Sequence, residues 1–105
     1  MELLAGTLDL ILLRLLETET ANGWDLTRRI QLLSRDALHV KEGSLYPALY
    51  RLEAQGLIVG KWGTSESNRR AKFYSLTRGG RKRLAAERAS WERFEGALDL
   101  ILRAN

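Results

Sequence analysis

The sequence predicts a mainly α-helical domain with a small β-hairpin, and three observations predict it. Apolar residues recur at helical spacing in three segments before residue 56. Two short runs rich in β-branched and aromatic residues, LIVGKWG and AKFYSLT, flank the polar stretch TSESNRR. After Leu84 the apolar residues return at Trp91 and Leu98, with Phe94 and Ile101 offset by three, which is the sevenfold spacing of a helix-packing seam.

A chain of 105 residues, 45% hydrophobic and 29% charged, has the make-up of one globular domain with a modest core. It has no cysteine, which excludes a disulfide framework, a thiol nucleophile and a Cys-ligated metal. That fits a reducing compartment, and a cytoplasmic location is expected. The leucine-rich start LLAGTLDLILLRLL is broken by Asp9 and Arg14 and is too short to span a bilayer. No signal peptide is read there, and no membrane partner is expected.

The first helix is expected from about Thr7 to Glu17, with Thr7 as its N-cap and Asp9 favourable in its first turn. Seven apolar side chains from Leu8 to Leu16 cover nearly its whole circumference, so it should be covered on two sides. TANGWDL reads as a turn punctuated by Asn22-Gly23. A second helix then runs to about Leu33, with Leu26, Ile30 and Leu33 inward and Arg28 and Arg29 outward. SRDALHVKEG is a connector. The third helix spans about Ser44 to Gln55, buries Leu45, Leu49 and Leu52, and ends at Gly56. The hairpin follows, and Thr77 caps a final long helix whose first turns Gly79 and Gly80 should weaken.

Helix, helix, helix, strand, turn, strand and long helix is the order of a winged helix-turn-helix with an added C-terminal helix. The third helix would be its recognition element and GTSESNRRAK its wing. Residues 1–76 would form the winged domain and 77–105 a dimerisation helix, packed on residues 3–17 of a partner chain. Pro47, the chain's one proline, is tolerated if Gly43 or Ser44 caps the third helix, because the first turn has N–H groups without intrahelical partners. Ser44, Tyr46, Pro47, Tyr50 and Arg51 then point outward from the end that enters a major groove. A tyrosine there offers a ring to a thymine methyl or a sugar and a hydroxyl to a phosphate. The N-terminal N–H groups of that helix add an anion site. The alternative is that both tyrosines pack on neighbouring elements with wet hydroxyls.

Charge is unevenly placed. Net charge is +4, with a sequence pI near 9.9. Between Lys61 and Arg83 eight basic residues face one acid, a local +7, whereas nine basic and twelve acidic residues elsewhere leave −3. A concentrated positive stretch on an acidic body suits a polyanion partner, here double-stranded DNA. Asn68, Arg69, Arg70 and Lys72 lie where a wing would reach a groove, and arginine suits a narrow minor groove. Lys41, just ahead of the third helix, completes the DNA-contacting set. RGGRKR is either a second phosphate clamp or solvated charge.

EGSLYPALYRLEAQGLI, then WGTSESNRRAKFYSLTRGGRKRL and WERF, together with the opening GTLDLILLRLL, closely resembles the PadR-type transcriptional regulators over nearly the whole chain. The short tail after Trp91 is similar to the small members of that family, which have one long C-terminal helix. The resemblance implies a homodimeric winged-helix repressor whose last helix packs on the partner's first helix. It also carries the DNA-contacting role onto the recognition-helix and wing positions named above. By the same resemblance Trp91, with Phe94, Leu10 and Ile11, is a candidate contact for a small aromatic effector, the alternative for Trp91 being a plain interface anchor.

Dimerisation follows from the residues as well. The stripe Leu84, Trp91, Phe94, Leu98 and Ile101 and the surplus face of the first helix, with Leu8 and Leu12, would lie bare in a monomer. Two-fold pairing would cover both and set two recognition helices about 34 Å apart on a pseudo-palindromic operator. No cofactor is expected. Ser34, Asp36 and the single histidine, His39, share a connector with no glycine-rich oxyanion loop, so no catalytic triad is read. No phosphate loop or metal-ligand spacing is present in the sequence. The alternative function is a winged-helix module that binds protein without DNA. Its binding face should be depleted in charge, whereas the outward face here is basic.

Overall fold

The chain is described by a computed structural model covering residues 6–105. Its order is α1 (Thr7–Thr18), β1 (Ala21–Asn22), α2 (Gly23–Leu33), α3 (Glu42–Ala54), β2 (Ile58–Thr64), β3 (Arg70–Leu76) and α4 (Arg78–Leu102). This is the winged helix-turn-helix with its long last helix, and two features depart from expectation at once. The hairpin is part of a three-stranded antiparallel sheet ordered β1-β3-β2. In addition, Gly6 in left-handed conformation, not Thr7, precedes α1, with no side-chain cap; Thr7 is the first helical residue.

The third strand lies in TANGWDL, which reads as a turn. Ala21 pairs with Tyr74 and Asn22 with Phe73. Two residues are too few to show an alternating pattern, and only the partner strand gives them extended pairing. Asn22 also caps α2: its side chain accepts from the Asp25 N–H at 2.8 Å, and the Asp25 carboxylate receives the Asn22 N–H at 3.5 Å. One residue therefore ends a strand and starts a helix, which fixes α2 to the base of the wing.

The core joins all three helices of the winged domain to the sheet. Leu12, Leu26, Leu45, Leu49, Leu52, Ile58, Tyr74 and Leu84 are at most 2% exposed. α1 is covered on two sides as its pattern required, with Leu12, Leu13, Leu15 and Leu16 buried. Ile30 is the last residue of α2 to reach this core. Leu33, expected beside it, is 69% exposed, because the helix ends there and the chain turns off through Arg35 and Asp36, both at positive φ.

α3 begins at Glu42 after Lys41, not at a Gly43 or Ser44 cap. Pro47 is consequently its sixth residue, in the second turn rather than the first. Its missing N–H leaves the Gly43 carbonyl without an intrahelical donor, and Gly43 is exposed, so water can satisfy it. At the other end Gly56 (φ 74°) gives the expected left-handed stop. Its N–H bonds Glu53 O at 3.0 Å and the Leu57 N–H bonds Leu52 O at 3.0 Å.

Thr77 caps α4 as expected, its Oγ1 accepting from the Gly80 N–H at 3.0 Å and donating to Gly56 O at 2.7 Å. Gly80 is no mere weak point. A Cβ there would stand 2.0 Å from the Leu57 carbonyl oxygen, so only glycine lets α4 start against the α3–β2 link. Leu84 then enters the core. Arg88 reaches Glu17 of α1 at 4.0 Å, and from Ala89 to Leu102 every residue is exposed. That overhang runs about 21 Å at 1.5 Å per residue. Leu12 and Leu84, expected between two chains, are instead 0% and 1% exposed within one chain and have no surface left for a partner.

Candidate nucleic-acid interface

The outward face of α3, the start of α2 and the inner face of the wing enclose an open cleft of about 880 Å³. Tyr46 and Tyr50 form its floor, Trp24 and Arg28 one wall, and Trp62, Arg69 and Arg70 the other.

The two tyrosines differ. Tyr50 is 58% exposed. Tyr46, expected to face water, is partly buried. It lies only about 100° round the helix from Leu45, at the edge of the apolar stripe, and its ring end sits where a Cβ on Gly23 would be, 2.6 Å from the hydroxyl. Burial holds its phenol pKa above the usual range, with the Glu42 carboxylate adding to the effect. The centroids of the two rings are 6.3 Å apart. Tyr46 thus sets α3 against α2, and Tyr50 is the tyrosine left to meet a ligand. Ser44 and Pro47 are exposed beside it, and so is Lys41 ahead of the helix.

The cations sort into two kinds. Arg51 is ion-paired with Asp9 of α1, so it ties the recognition helix to the first helix. Lys72, expected at the wing tip, lies within β3 opposite Trp62, and its Nζ is 2.8 Å from Glu53. The other Glu53 oxygen accepts the Gly60 N–H at 3.1 Å. One carboxylate on α3 therefore holds both strands of the wing. That hydrogen bond from Lys72 lowers the Glu53 pKa and raises that of Lys72.

Arg69 and Arg70, by contrast, have no carboxylate partner among the described residues. The wing loop closes by Asn68 N–H to Ser65 O at 2.9 Å and Ser65 N–H to Arg69 O at 2.8 Å. Asn68 takes the left-handed conformation (φ 61°) that such a turn needs at its last loop position. The turn at the tip is formed by Glu66 and Ser67; Arg69, expected there, closes the loop opposite Ser65, and Arg70 is the first residue of β3. There the Arg70 guanidinium lies 4.8 Å from the Trp62 ring centroid.

An exposed tyrosine on a helix facing a loop with uncommitted arginines is an arrangement for phosphate and groove contact. Comparison with known proteins agrees. Residues 12–86 match the family described as "Transcriptional regulator PadR-like family". The chain belongs to this family. Its members are transcriptional regulators, not enzymes, and membership implies DNA binding. This PadR-like chain is similar to a transcriptional regulator structure from Clostridium thermocellum, with TM-score 0.82 and 29% identity over 90% of this chain and 88% of that one. A PadR family regulator from Eggerthella lenta gives TM-score 0.80 and 30% identity over 95% and 85%. The transcriptional regulator Rv3488 of Mycobacterium tuberculosis is 40% identical over 62 residues, 59% of this chain and 57% of that protein.

The other residues expected from the sequence to serve a partner or an effector in this PadR-like regulator lie away from the cleft. Trp91 and Phe94 are 42% and 55% exposed on the overhang of α4, with centroids 5.8 Å apart. Leu98 and Ile101 are exposed farther along. Leu8, Leu10 and Ile11 are partly buried on α1, packed against the core. Residues 3–5 of the segment expected to meet a partner lie outside the described residues. His39 donates to or accepts nothing in the cleft; its Nε2 lies 2.9 Å from Asp36 O within the connector. No helix of the described residues is long and apolar enough to cross a membrane. Sequence reasoning left Trp24, Arg28 and Trp62 without a role. The available signal was the Trp24/Arg28 spacing of four, which puts both on one helix face.

Proposed function

We propose that this PadR-like regulator is a repressor that binds a pseudo-palindromic operator as a homodimer in the cytoplasm. The observation that carries the DNA-contacting assignment is the pair Arg69 and Arg70, uncommitted to any described carboxylate, held by the wing beside the exposed Tyr50. Ser44, Pro47 and Tyr50 meet the major groove, Asn68, Arg69 and Arg70 meet the adjacent groove or backbone, and Lys41 adds a phosphate contact. Tyr46 acts by seating α3, while Arg51 and Lys72 act through their carboxylate partners rather than as free cations.

The homodimer is supported by the bare apolar stripe of α4, where Trp91, Phe94, Leu98 and Ile101 stand exposed. A second copy would cover it with the flank of α1 that carries Leu8. The tilted Trp91–Phe94 pair on that stripe is the proposed effector contact, with Leu10 and Ile11, for a planar aromatic molecule. Selection of bound duplexes from a random pool tests these points together. The expected outcome is a two-fold symmetric consensus with half-sites about one helical turn apart. Enrichment of no duplex, or equal competition by single strands, would reject the reading.

A further inference from the structure

Across the cleft from the wing stands a second aromatic–arginine pair with no part in the contacts assigned above. On α2 the Arg28 guanidinium lies 4.8 Å from the Trp24 ring centroid, the same distance at which Arg70 lies over Trp62. Both tryptophans are largely solvent-exposed, 62% and 61%. We infer that Trp24 and Arg28 of α2, facing Trp62 and Arg70, form the second wall of a seat for one sugar–phosphate strand of duplex DNA. This rests on the DNA-binding reading of the wing.

Three physical points carry it. First, a guanidinium lying over an indole face keeps its in-plane N–H donors unspent, whereas one paired with a carboxylate has spent them. Among the described residues Arg28 and Arg70 have no carboxylate partner, unlike Arg51 and Lys72. Stacking also restrains a long side chain in advance, so less rotamer entropy is lost when phosphate arrives.

Second, the walls are fixed relative to each other. Asn22 pairs with Phe73 of the wing strand and caps α2 two residues before Trp24, so the wing and this helix face move as one unit.

Third, charge and surface match a nucleic-acid backbone. Two acids line the cleft, Asp25 and Glu66. Asp25 is turned to its own helix start, receiving the Asn22 N–H. Glu66 at the wing tip is therefore the one acid of the cleft left to oppose Arg28, Arg69 and Arg70. The indole faces give apolar area against deoxyribose between those cations. A contact of this kind positions the protein without reading bases.

The test is anisotropy of a labelled duplex with the full chain, over a range of salt concentrations. Arg28→Gln should reduce the steepness of log K against log salt by about 0.9 for each chain bound, an affinity loss of about fivefold per chain at 0.15 M salt. Trp24→Ala keeps the charge and removes the stack, so it should weaken binding with the steepness unchanged. Arg28→Lys should restore the steepness but not the full affinity. Both side chains are at the surface, and the melting temperature should hold in all three variants. Wild-type affinity and steepness in Arg28→Gln would overturn the inference, as would a loss confined to one base sequence. The DNA-binding reading fails separately, by the wild-type chain binding no duplex. Weakening by Arg69→Ala with Arg70→Ala, but not by Arg28→Gln, would keep the wing and reject the α2 wall.

Discussion

Replacing Gly80 by alanine sets helix propensity against packing, and the two predict opposite signs. Alanine is favoured over glycine within a helix by about 1 kcal/mol, so α4 taken alone should gain. In the folded chain the new Cβ would stand 2.0 Å from the Leu57 carbonyl oxygen and 2.6 Å from Leu76 Cδ1. Ordinary contact starts near 3.4 Å, so backbone must retreat by more than an ångström. Overpacking costs about 1–3 kcal/mol, and a main-chain obstacle belongs at the upper end. The net expectation is a loss of about 2 kcal/mol. At 4–8 °C per kcal/mol for a domain of this size, the melting temperature should fall by roughly 8–16 °C. Gly79→Ala is the control, since its nearest neighbours would be at 3.7–4.0 Å, and it should melt slightly higher. Both are measured by circular dichroism at one protein concentration, because the proposed dimerisation would couple to unfolding and shift the transition. If Gly80→Ala melts at or above the wild type, the close approach of α4 to the α3–β2 link is wrong.

Two further expectations separate core from surface. Leu84→Ala should cost about 2–5 kcal/mol in chemical denaturation, because Leu84 is buried within one chain. Trp91→Ala should leave that fold intact and raise the concentration at which sedimentation detects dissociation; an unaltered dimer would remove Trp91 from the interface. The Glu53 tether gives a pH dependence. Its carboxylate pKa is lowered by the Lys72 hydrogen bond, so its stabilisation is present above the ordinary carboxylate range and lost as pH falls through the lowered value. The Lys72 pKa is raised, so its share is lost only as pH rises through that value in alkali. Glu53→Gln should therefore lie closer to wild type in acid than at neutral pH, and the Gly60 amide should exchange faster in it at neutral pH. Equal exchange would show that Glu53 does not hold the wing.

The candidate site was legible where the signal is local. Arg69 and Arg70 fall between two strand-like runs beside a polar turn, and turn chemistry alone puts them on the hairpin. Strand pairing draws Arg70 into β3 and leaves Arg69 closing the loop behind the tip at Glu66 and Ser67. Tyr50 was placed outward by its helical phase, and the structure leaves it there. Tyr46 was misplaced because it lies at the edge of the stripe, where the neighbouring helix decides between core and water. Lys72 and Arg51 looked free because a charge's partner is set by proximity in space: Glu53 is nineteen residues from Lys72, and Asp9 forty-two from Arg51. Strand β1 was hidden for the same reason, two residues having no period of their own.

The residue order by itself determined the helices, the hairpin, the position of the basic wing and the apolar surplus on the first and last helices. These are short-range properties, fixed by periodicity, capping and turn chemistry within a few residues. Only the tertiary structure decided which cations are spent on carboxylates, that Leu12 and Leu84 belong to one chain's core, and that α2 faces the wing across a cleft. Those outcomes depend on distances between residues far apart along the chain, which the sequence leaves open until packing closes them.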